Sequence, residues 1–244
     1  MNEIAIWHHL GMGDMVTCNA IVRNYAKKYD KVYLFTKRVC YPSTKFLYRD
    51  LKNVELVVGG KNVFDDSWAD RWLQWHPAIK LLKIGFNYLT THPHLNFDQA
   101  FYQQAGIPFQ KKFDDFYVER DMNREEELLK RLNPTGEPYV FVHQDKLRDY
   151  VMNLDHIKNK ELKVIEPTPK YLDKGTYHDD IDLIFDYMKL IENAEEVHVM
   201  ESSFKCLIDG FIKDKPNVFY HRYMRDAITI GRPYWIILNK REVE

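Results

Sequence analysis

Short apolar runs alternate with helix-patterned segments along almost all of this 244-residue chain. In the first half, EIAIW (3–7), KVYLFT (31–36) and VELVV (54–58) predict strands. The apolar residues after the first run recur at helical spacing: Met15, Cys18, Ile21, Val22 and Tyr25. A second helix is predicted over YPSTKFLYRDL (41–51), with Pro near its start. Strands and helices alternating at such short spacing predict an α/β fold with a parallel sheet.

The middle of the chain carries weaker signals. After Gly59 and Gly60, the segment WADRWLQWHPAIKLL predicts a helix up to Pro77. A further helix is predicted to end at Gly106. The charged stretch 108–124 is expected to lead from one half of the chain to the other.

A second α/β series follows. Strands are predicted over YVFVH (139–143), LKVIEP (162–167), the run ending near Met200 and, as the last strand, NVFYH (217–221). Helices are predicted over REEELLKRL (124–132), DDIDLIFDYMKLIENA (179–194) and SSFKCLIDGFI. The sequence therefore predicts two Rossmann-like halves, 1–115 and 116–244.

Composition restricts the class of protein. Lys and Arg number 35 against 36 acidic residues, a balance that disfavours a nucleic-acid-binding protein. The cysteines, Cys18, Cys40 and Cys206, are far apart, and their spacing indicates neither a disulfide framework nor a zinc site. No signal-peptide pattern and no long apolar run is present in the sequence. These features lead us to expect a soluble cytoplasmic protein with no transmembrane segment.

Ligands of parallel sheets bind beyond the carboxyl ends of the strands, so the residues that follow each strand are site candidates. The first predicted strand is followed by His8, His9, Gly11, Gly13 and Asp14. Glycines allow a ligand to approach the backbone, and the loop opens a helix. Asp14 is equally well explained as a first-turn acid that stabilises the helix. The pattern G-M-G-D lacks the third glycine of a dinucleotide fingerprint.

The second half supplies candidates for binding a diphosphate. The strand 139–143 ends in His143 and is followed by Lys146 and Arg148, cations that suit phosphate oxygens. Glu201 precedes Ser202 and Ser203 at a helix start, where N–H groups attract anions. A solvated loop and an ordinary Ser cap are the alternatives. The predicted strand 162–167 leads to two candidates for a nucleotide pocket, Glu166 and Tyr171.

Two further patterns remain open. The spacing of Trp68, Trp72 and Trp75 predicts one helix face, which suits core packing or a stacking wall for an acceptor sugar. His92 and His94 lie in a nearby loop, where they could bind acceptor hydroxyls. The acids of DDID (179–182) favour capping of a helix, and a role in metal binding stays undecided.

Several segments together resemble a known family. HLGMGDMVTCNAIVRNYAK resembles the first strand, loop and helix of metal-independent GT-B type glycosyltransferases, especially heptosyltransferase-like proteins. FYQQAGIPFQKKFDDFYVERD, YVFVHQD and VHVMESSFKCLIDGF resemble small glycosyltransferase-like proteins of bacteria and large viruses. The stretch VHQDKLRD is similar to the basic strand-end loop of fucosyltransferases that use a GDP-sugar.

The resemblance implies a fold and a set of roles. It implies two lobes whose parallel sheets face an inter-domain cleft, with 1–115 on the acceptor side and 116–244 on the donor side. The last residues are candidates for packing back on the N-terminal lobe. In such an enzyme Asp14 would be the catalytic base of an inverting transfer from a nucleotide-diphosphate sugar to a glycan or other hydroxyl acceptor.

The same resemblance assigns the remaining candidates. The implied acceptor-binding residues are His8, His9, Gly13, Trp75, His92 and His94. The implied donor-binding residues are Gly11, His143, Lys146, Arg148, Glu166, Tyr171, Glu201, Ser202 and Ser203. No metal and no cofactor are expected besides the donor substrate. An NAD(P)-dependent oxidoreductase and a non-catalytic sugar-nucleotide-binding protein are the alternatives.

Overall fold

The computed structural model describes most of the chain. The described residues are 1–8, 11–59, 67–146, 149–155, 157, 160–167, 182–222 and 228–239. Contacts divide them into two compact units, of which the first ends at Glu119 and the second begins at Arg120. The assignment of these units to acceptor and donor sides stays a prediction.

The first unit contains a parallel sheet. Its strands are β1 (Glu3–Trp7), β2 (Lys31–Thr36), β3 (Val54–Val58) and β4 (Lys80–Lys83). They lie in the order β3-β2-β1-β4, and every pair is parallel. The central strands β1 and β2 are the most buried, which explains their almost continuous apolar sequence.

Helices connect and cover this sheet. They are α1 (Met12–Thr17), α2 (Asn19–Ala26), α3 (Tyr41–Leu47), α4 (Ser67–Gln74), α5 (Phe97–Gln104) and α6 (Lys111–Asp114). Short 3-10 turns occupy Arg38–Cys40 and Phe86–Thr90. A buried cluster of Cys18, Ile21, Phe101, Tyr102 and Ile107 packs α2 against α5.

Three sequence predictions for this unit need correction. The helix predicted after residue 11 is interrupted at Cys18, whose ψ of 5° separates α1 from α2. The helix predicted up to Pro77 ends at Gln74. Strand β4 was not predicted, because KLLK has only two apolar residues; its pairing with β1 supplies the backbone hydrogen bonds that make it a strand.

The second unit is built on another parallel sheet. Its strands are β5 (Tyr139–His143), β6 (Lys163–Ile165), β7 (Glu196–Val199), β8 (Val218–His221) and β9 (Trp235–Leu238). They lie in the order β6-β5-β7-β8-β9, again with parallel pairs throughout. Its helices are α7 (Met122–Leu132), α8 (Met188–Asn193) and α9 (Ser203–Phe211).

Two predictions for the second unit also need correction. NVFYH is not the last strand, since β9 follows it and pairs with β8. The helix predicted over 179–194 is shorter: a 3-10 turn at Ile184–Tyr187 leads into α8, and 179–181 lie outside the described residues. The Asp186 carboxylate accepts the N–H of Leu183 at 2.7 Å and so caps this turn. The predicted packing of the last residues stays a prediction, since 240–244 also lie outside the described part.

The predicted α/β fold with two parallel sheets is confirmed. Each sheet contains a point at which the strand order reverses direction. It lies between β1 and β4 in the first sheet and between β5 and β7 in the second. At such a point the loops leave the neighbouring strands in opposite directions and open a crevice for ligands. Among the described helices, none is long and apolar enough to cross a membrane.

Candidate functional site

Most of the candidates of the first unit gather at the carboxyl edge of its sheet. His8 and residues 11–14 follow β1, and the segment that contains His92 and His94 follows β4. Because β1 and β4 are parallel neighbours, their carboxyl ends meet at one edge. The connections that leave β1 and β4 therefore begin on either side of the point where the strand order of the first sheet reverses.

Asp14 stands in the first turn of α1 and is partly exposed. Its Oδ2 atom accepts the backbone N–H of Gly11 at 3.0 Å. A Cβ atom at Gly11 would lie only 2.9 Å from that oxygen, so the glycine permits the close approach. The carboxylate thus has the helix-capping role that was its structural alternative, and this hydrogen bond also fixes its orientation.

The Cys40 thiol is influenced electrostatically by both Asp14 and Lys37. Cys40 ends the 3-10 turn that follows β2. Burial raises the pKa of its thiol to about 11, with smaller opposing effects from Lys37, which lowers the pKa, and Asp14, which raises it. Lys37 and Asp14 are therefore both close enough to act on the same group. The thiol itself stays protonated at neutral pH.

The predicted acceptor histidines have different environments. His8 is fully buried at the end of β1, and His9 lies outside the described residues. The His92 ring stacks on Tyr88 with centroids 3.9 Å apart, and its Nδ1 lies 2.9 Å from the Thr91 hydroxyl. His94 is exposed, 6.1 Å from the His92 ring. The structure thus places His92 and His94 in a surface turn and His8 in the interior.

The tryptophans do not form one face. Trp68 and Trp72 pack edge-on against Phe35 of β2, with centroids 4.9 and 5.4 Å away. Trp75 lies beyond the end of α4 and is 83% exposed. It precedes β4, so it lies toward the amino end of that strand, and the structure does not bring it together with the histidines at the opposite end. Core packing therefore accounts for Trp68 and Trp72.

The second unit gathers its candidates at the carboxyl edge of its own sheet. His143 ends β5, Glu166 follows β6, and Glu201 to Ser203 follow β7. The Lys146 ammonium lies 2.8 Å from Glu166, so two of the donor candidates form an ion pair. Gln144 holds this arrangement by donating to Glu166 at 3.0 Å and accepting the N–H of Met152 at 2.9 Å. Gln144 was not predicted, although it directly follows β5.

His143 packs against the start of α9. Its ring centroid lies 4.4 Å from that of Phe204, and its carbonyl accepts the N–H of Met200 at 3.5 Å. Burial lowers the pKa of its imidazole to about 4, so the ring is neutral at physiological pH. No described residue hydrogen-bonds its buried Nδ1 atom.

Ser202 caps α9, and Ser203 is the first residue of this helix. The Ser202 hydroxyl accepts the N–H of Lys205 at a long 3.5 Å, as in the capping alternative. The Lys205 side chain is fully buried, and its ammonium contacts Asp209 at 2.6 Å. The charge of Lys205 is therefore balanced by Asp209 within the core. Glu201 is buried at 4% exposure.

Other candidates lie outside the described part of the chain, namely His9, Arg148, Tyr171 and most of DDID. Within the described ranges, no group of three or more His, Cys, Asp or Glu side chains is arranged to hold a metal ion.

Comparison with known proteins shows a likeness in fold. No protein-family model matches the sequence, and no curated protein matches it in sequence. The chain is similar in structure to a glycosyl transferase family 9 protein from Veillonella parvula DSM 2008, with a TM-score of 0.56 and 8% sequence identity. The likeness covers 99% of this chain and 86% of that protein. At this identity the likeness shows a shared fold alone.

Proposed function

We propose that this protein is a metal-independent, inverting glycosyltransferase that uses a nucleotide-diphosphate sugar. The observation that carries the proposal is the position of the candidates: six donor candidates and Asp14 follow strands at the carboxyl edges of two parallel sheets. The fold likeness to a protein named as a glycosyl transferase, over 99% of this chain, supports the same function. A fold alone does not determine activity, so the proposal depends on the positions of these residues.

In the proposed reaction Asp14 is the general base. The Gly11 N–H holds its carboxylate at the crevice beside β1. There it would take the proton of an acceptor hydroxyl while the oxygen forms a bond to the anomeric carbon. The bond from that carbon to the diphosphate breaks in the same step, so configuration inverts. His92 and His94 are the proposed partners of acceptor hydroxyls.

The second unit would bind the donor and stabilise the leaving diphosphate. The start of α9 at Ser202 and Ser203 offers backbone N–H groups and the positive end of a helix. Lys146 and Arg148 supply charge that balances the developing negative charge. Because Glu166 pairs with Lys146, binding would exchange one anionic partner of the ammonium for another. Neutral His143 would act as a hydrogen-bonding group without adding charge.

The test combines ligand binding with a matched pair of variants. Thermal shift against UDP-, GDP- and ADP-sugars and NAD(P) identifies the ligand class, and product formation from the stabilising donor measures transfer. Asp14→Asn keeps an oxygen that accepts the Gly11 N–H, so we expect donor binding to persist and turnover to fall at least about 100-fold. Asp70→Asn, which changes a first-turn acid of α4, is the control and should leave turnover unchanged.

Each alternative predicts a different result. Stabilisation by NAD(P) alone would overturn the proposal in favour of an oxidoreductase. Donor binding by the wild-type protein without transfer to any hydroxyl acceptor would indicate a sugar-nucleotide-binding protein. Equal turnover of the Asp14→Asn and Asp70→Asn variants would remove Asp14 from the catalytic role.

A further inference from the structure

Three protonatable side chains form a buried chain across the second sheet. His198 Nε2 lies 3.2 Å from the Glu196 carboxylate, and His198 Nδ1 lies 3.0 Å from His221 Nε2. All three are at most 3% exposed. Strand alternation explains the alignment: Glu196 and His198 are two residues apart on β7, and His221 is two residues after Phe219, the partner of His198 on β8.

These three side chains extend from the amino edge of the second sheet to its carboxyl edge. Glu196 begins β7 and lines a cavity of about 290 Å³ together with Pro138, Leu162, Glu195 and Asn217. His221 ends β8 at the carboxyl edge, where the donor candidates lie. The proposed reaction uses none of these three groups.

The surroundings of the pair are mostly apolar. His198 has Val142 and Phe219 as its neighbours in register, and the Phe219 ring stacks on it at 4.4 Å. Leu238 of β9 is the partner of His221. Met152 and Ile157, which follow β5, pack against Val142 on this face.

Charged groups lie near this face at both edges of the sheet, and at the amino edge the exposed Glu195 lines the same cavity as Glu196. The residues after β5 that pack on this face are accompanied by an exposed ion pair, in which the Lys160 ammonium lies 3.3 Å from the Asp155 carboxylate. The carboxyl edge carries Glu201 after β7 and Arg222 after β8. Glu196 is the carboxylate in direct contact with His198.

The hydrogen-bond partners of the two histidine rings determine their tautomers. A carboxylate only accepts, so the proton of the first hydrogen bond belongs to His198 Nε2. Neutral His198 then has a bare Nδ1, and His221 must donate to it from Nε2. This leaves Nδ1 of His221 as an acceptor.

One additional proton reverses the arrangement. If it rests on His198, the His198 Nδ1 atom becomes the donor and the His221 Nε2 atom becomes the acceptor. The proton of His221 then resides on Nδ1, so that nitrogen becomes a donor. The three groups take up one proton from solvent, and their total charge rises by one.

We propose that Glu196 and His198 are positioning residues that set the tautomer of His221, and that uptake of one proton by the three groups switches the carboxyl edge of β8 between two hydrogen-bonding states. The link to ligand binding rests on the proposed function. Because the switched state adds one positive charge to the second sheet and turns His221 Nδ1 from an acceptor into a donor, it should bind an anionic nucleotide sugar more tightly.

The first experiment observes the histidines without any ligand. Two-bond ¹H–¹⁵N NMR of the full-length protein distinguishes the ring tautomers, with His198→Gln and His221→Gln used for assignment. At about pH 8 we expect both rings to carry the proton at Nε2, and on acidification both should change at one shared midpoint.

Glu196→Gln should move that midpoint to lower pH by roughly 1 to 2 units, because the carboxylate favours the added proton. Glu195→Gln, an exposed neighbour on the same cavity, is the matched control and should leave the midpoint in place. A proton on Nδ1 of His198 at about pH 8, separate midpoints for the two rings, or an equal effect of both variants would overturn the proton chain.

The second experiment measures affinity for the stabilising nucleotide sugar against pH. We expect the affinity to rise about threefold to tenfold as the pH falls through the NMR midpoint, and this step should shift in Glu196→Gln but not in Glu195→Gln. A flat profile overturns the link to the donor edge. If no nucleotide sugar binds at all, the proposed function fails, while the NMR titration still decides the proton chain.

Discussion

The side-chain amide of Asn19 pairs with both backbone groups of Tyr117, 98 residues away in the sequence. Its Nδ2 donates to the Tyr117 carbonyl at 3.1 Å, and its Oδ1 accepts the Tyr117 N–H at 3.0 Å. Arg23 donates to the same carbonyl at 2.9 Å, and its guanidinium lies 4.8 Å from the Tyr117 ring. Helix α2 thus holds the end of the first unit by a fully buried amide.

Replacing this amide should destabilise the first unit. In Asn19→Ala the Tyr117 N–H loses its partner at a partly buried position, and we expect the free energy of unfolding to fall by about 1 to 2 kcal/mol. Chemical denaturation measures the change. Asn87→Ala, at an exposed position, is the control and should change stability by less than about 0.5 kcal/mol. Equal stability of the two variants would contradict the role of Asn19.

The buried pair of Lys205 and Asp209 should be the most sensitive site in the second unit. Its carboxylate also accepts the Trp235 indole N–H at 2.8 Å, and the ammonium donates to the Thr229 carbonyl at 3.0 Å. Lys205→Met leaves a buried carboxylate without its cation and should cost about 3 to 5 kcal/mol in denaturation experiments. Lys213→Met, at an exposed lysine, should cost little.

A double variant separates charge from packing. Lys205→Met with Asp209→Leu removes both charges, so we expect it to recover at least half of the stability lost by Lys205→Met. A double variant less stable than the single one would show that the hydrogen bonds to Thr229 and Trp235 outweigh the burial of the charges.

The lowered pKa of His143 makes stability depend on pH. The unfolded imidazole has its ordinary pKa of 6.5, whereas burial lowers the folded value to about 4. Between these values the unfolded state binds more protons, so the free energy of unfolding falls as the pH drops. We expect this group to contribute a loss of about 1 to 3 kcal/mol by pH 4.

His143→Phe, which replaces the ring by one that does not titrate, should make the pH dependence of unfolding shallower between about pH 6.5 and pH 4. The measurement is denaturation at a series of pH values for both proteins. Parallel curves for the variant and the wild type would show that His143 titrates equally in the folded and unfolded states.

Removing the charge of Glu166 should strengthen diphosphate binding. The carboxylate lies 2.8 Å from the Lys146 ammonium and lowers the positive potential available to a phosphate. Glu166→Gln retains an oxygen for Gln144, and we expect affinity for the nucleotide sugar to rise about threefold to tenfold. Calorimetry measures it, with the exposed Glu137→Gln at the amino edge as control. Weaker binding would instead make the carboxylate itself a ligand of the donor.

Local pattern was sufficient for most of the elements. β1, β2 and β5 are apolar runs buried in parallel sheets, and β3 is a partly exposed apolar run at a sheet edge. The helices α3, α7 and α9 have clear starts and apolar spacing. The edge strands β4 and β9 were missed. In β4 only two of the four residues of KLLK are apolar, and its hydrogen bonds come from the distant strand β1. The sequence WIIL of β9 is apolar throughout, and only its pairing with β8 distinguishes it from a short apolar loop.

The candidate site was likewise predictable from the sequence only in part. The rule that polar residues after parallel strands form the site placed Asp14, His143, Lys146 and Glu166 at the carboxyl edges. The rule does not predict which of these side chains contact each other. The contacts of Glu166 with Lys146 and Gln144 form because β5 and β6 are adjacent. Trp75, chosen by helical spacing, lies beyond the helix end, where that spacing no longer applies.

The sequence by itself determined the α/β class and the polar residues that follow each strand, because both depend on periodicity and composition over a few neighbouring residues. Only the tertiary structure decided the strand order, the two reversal points and the Glu196–His198–His221 chain. These features depend on which distant strands lie side by side, and that choice is made by the burial of whole faces and the sharing of backbone hydrogen bonds.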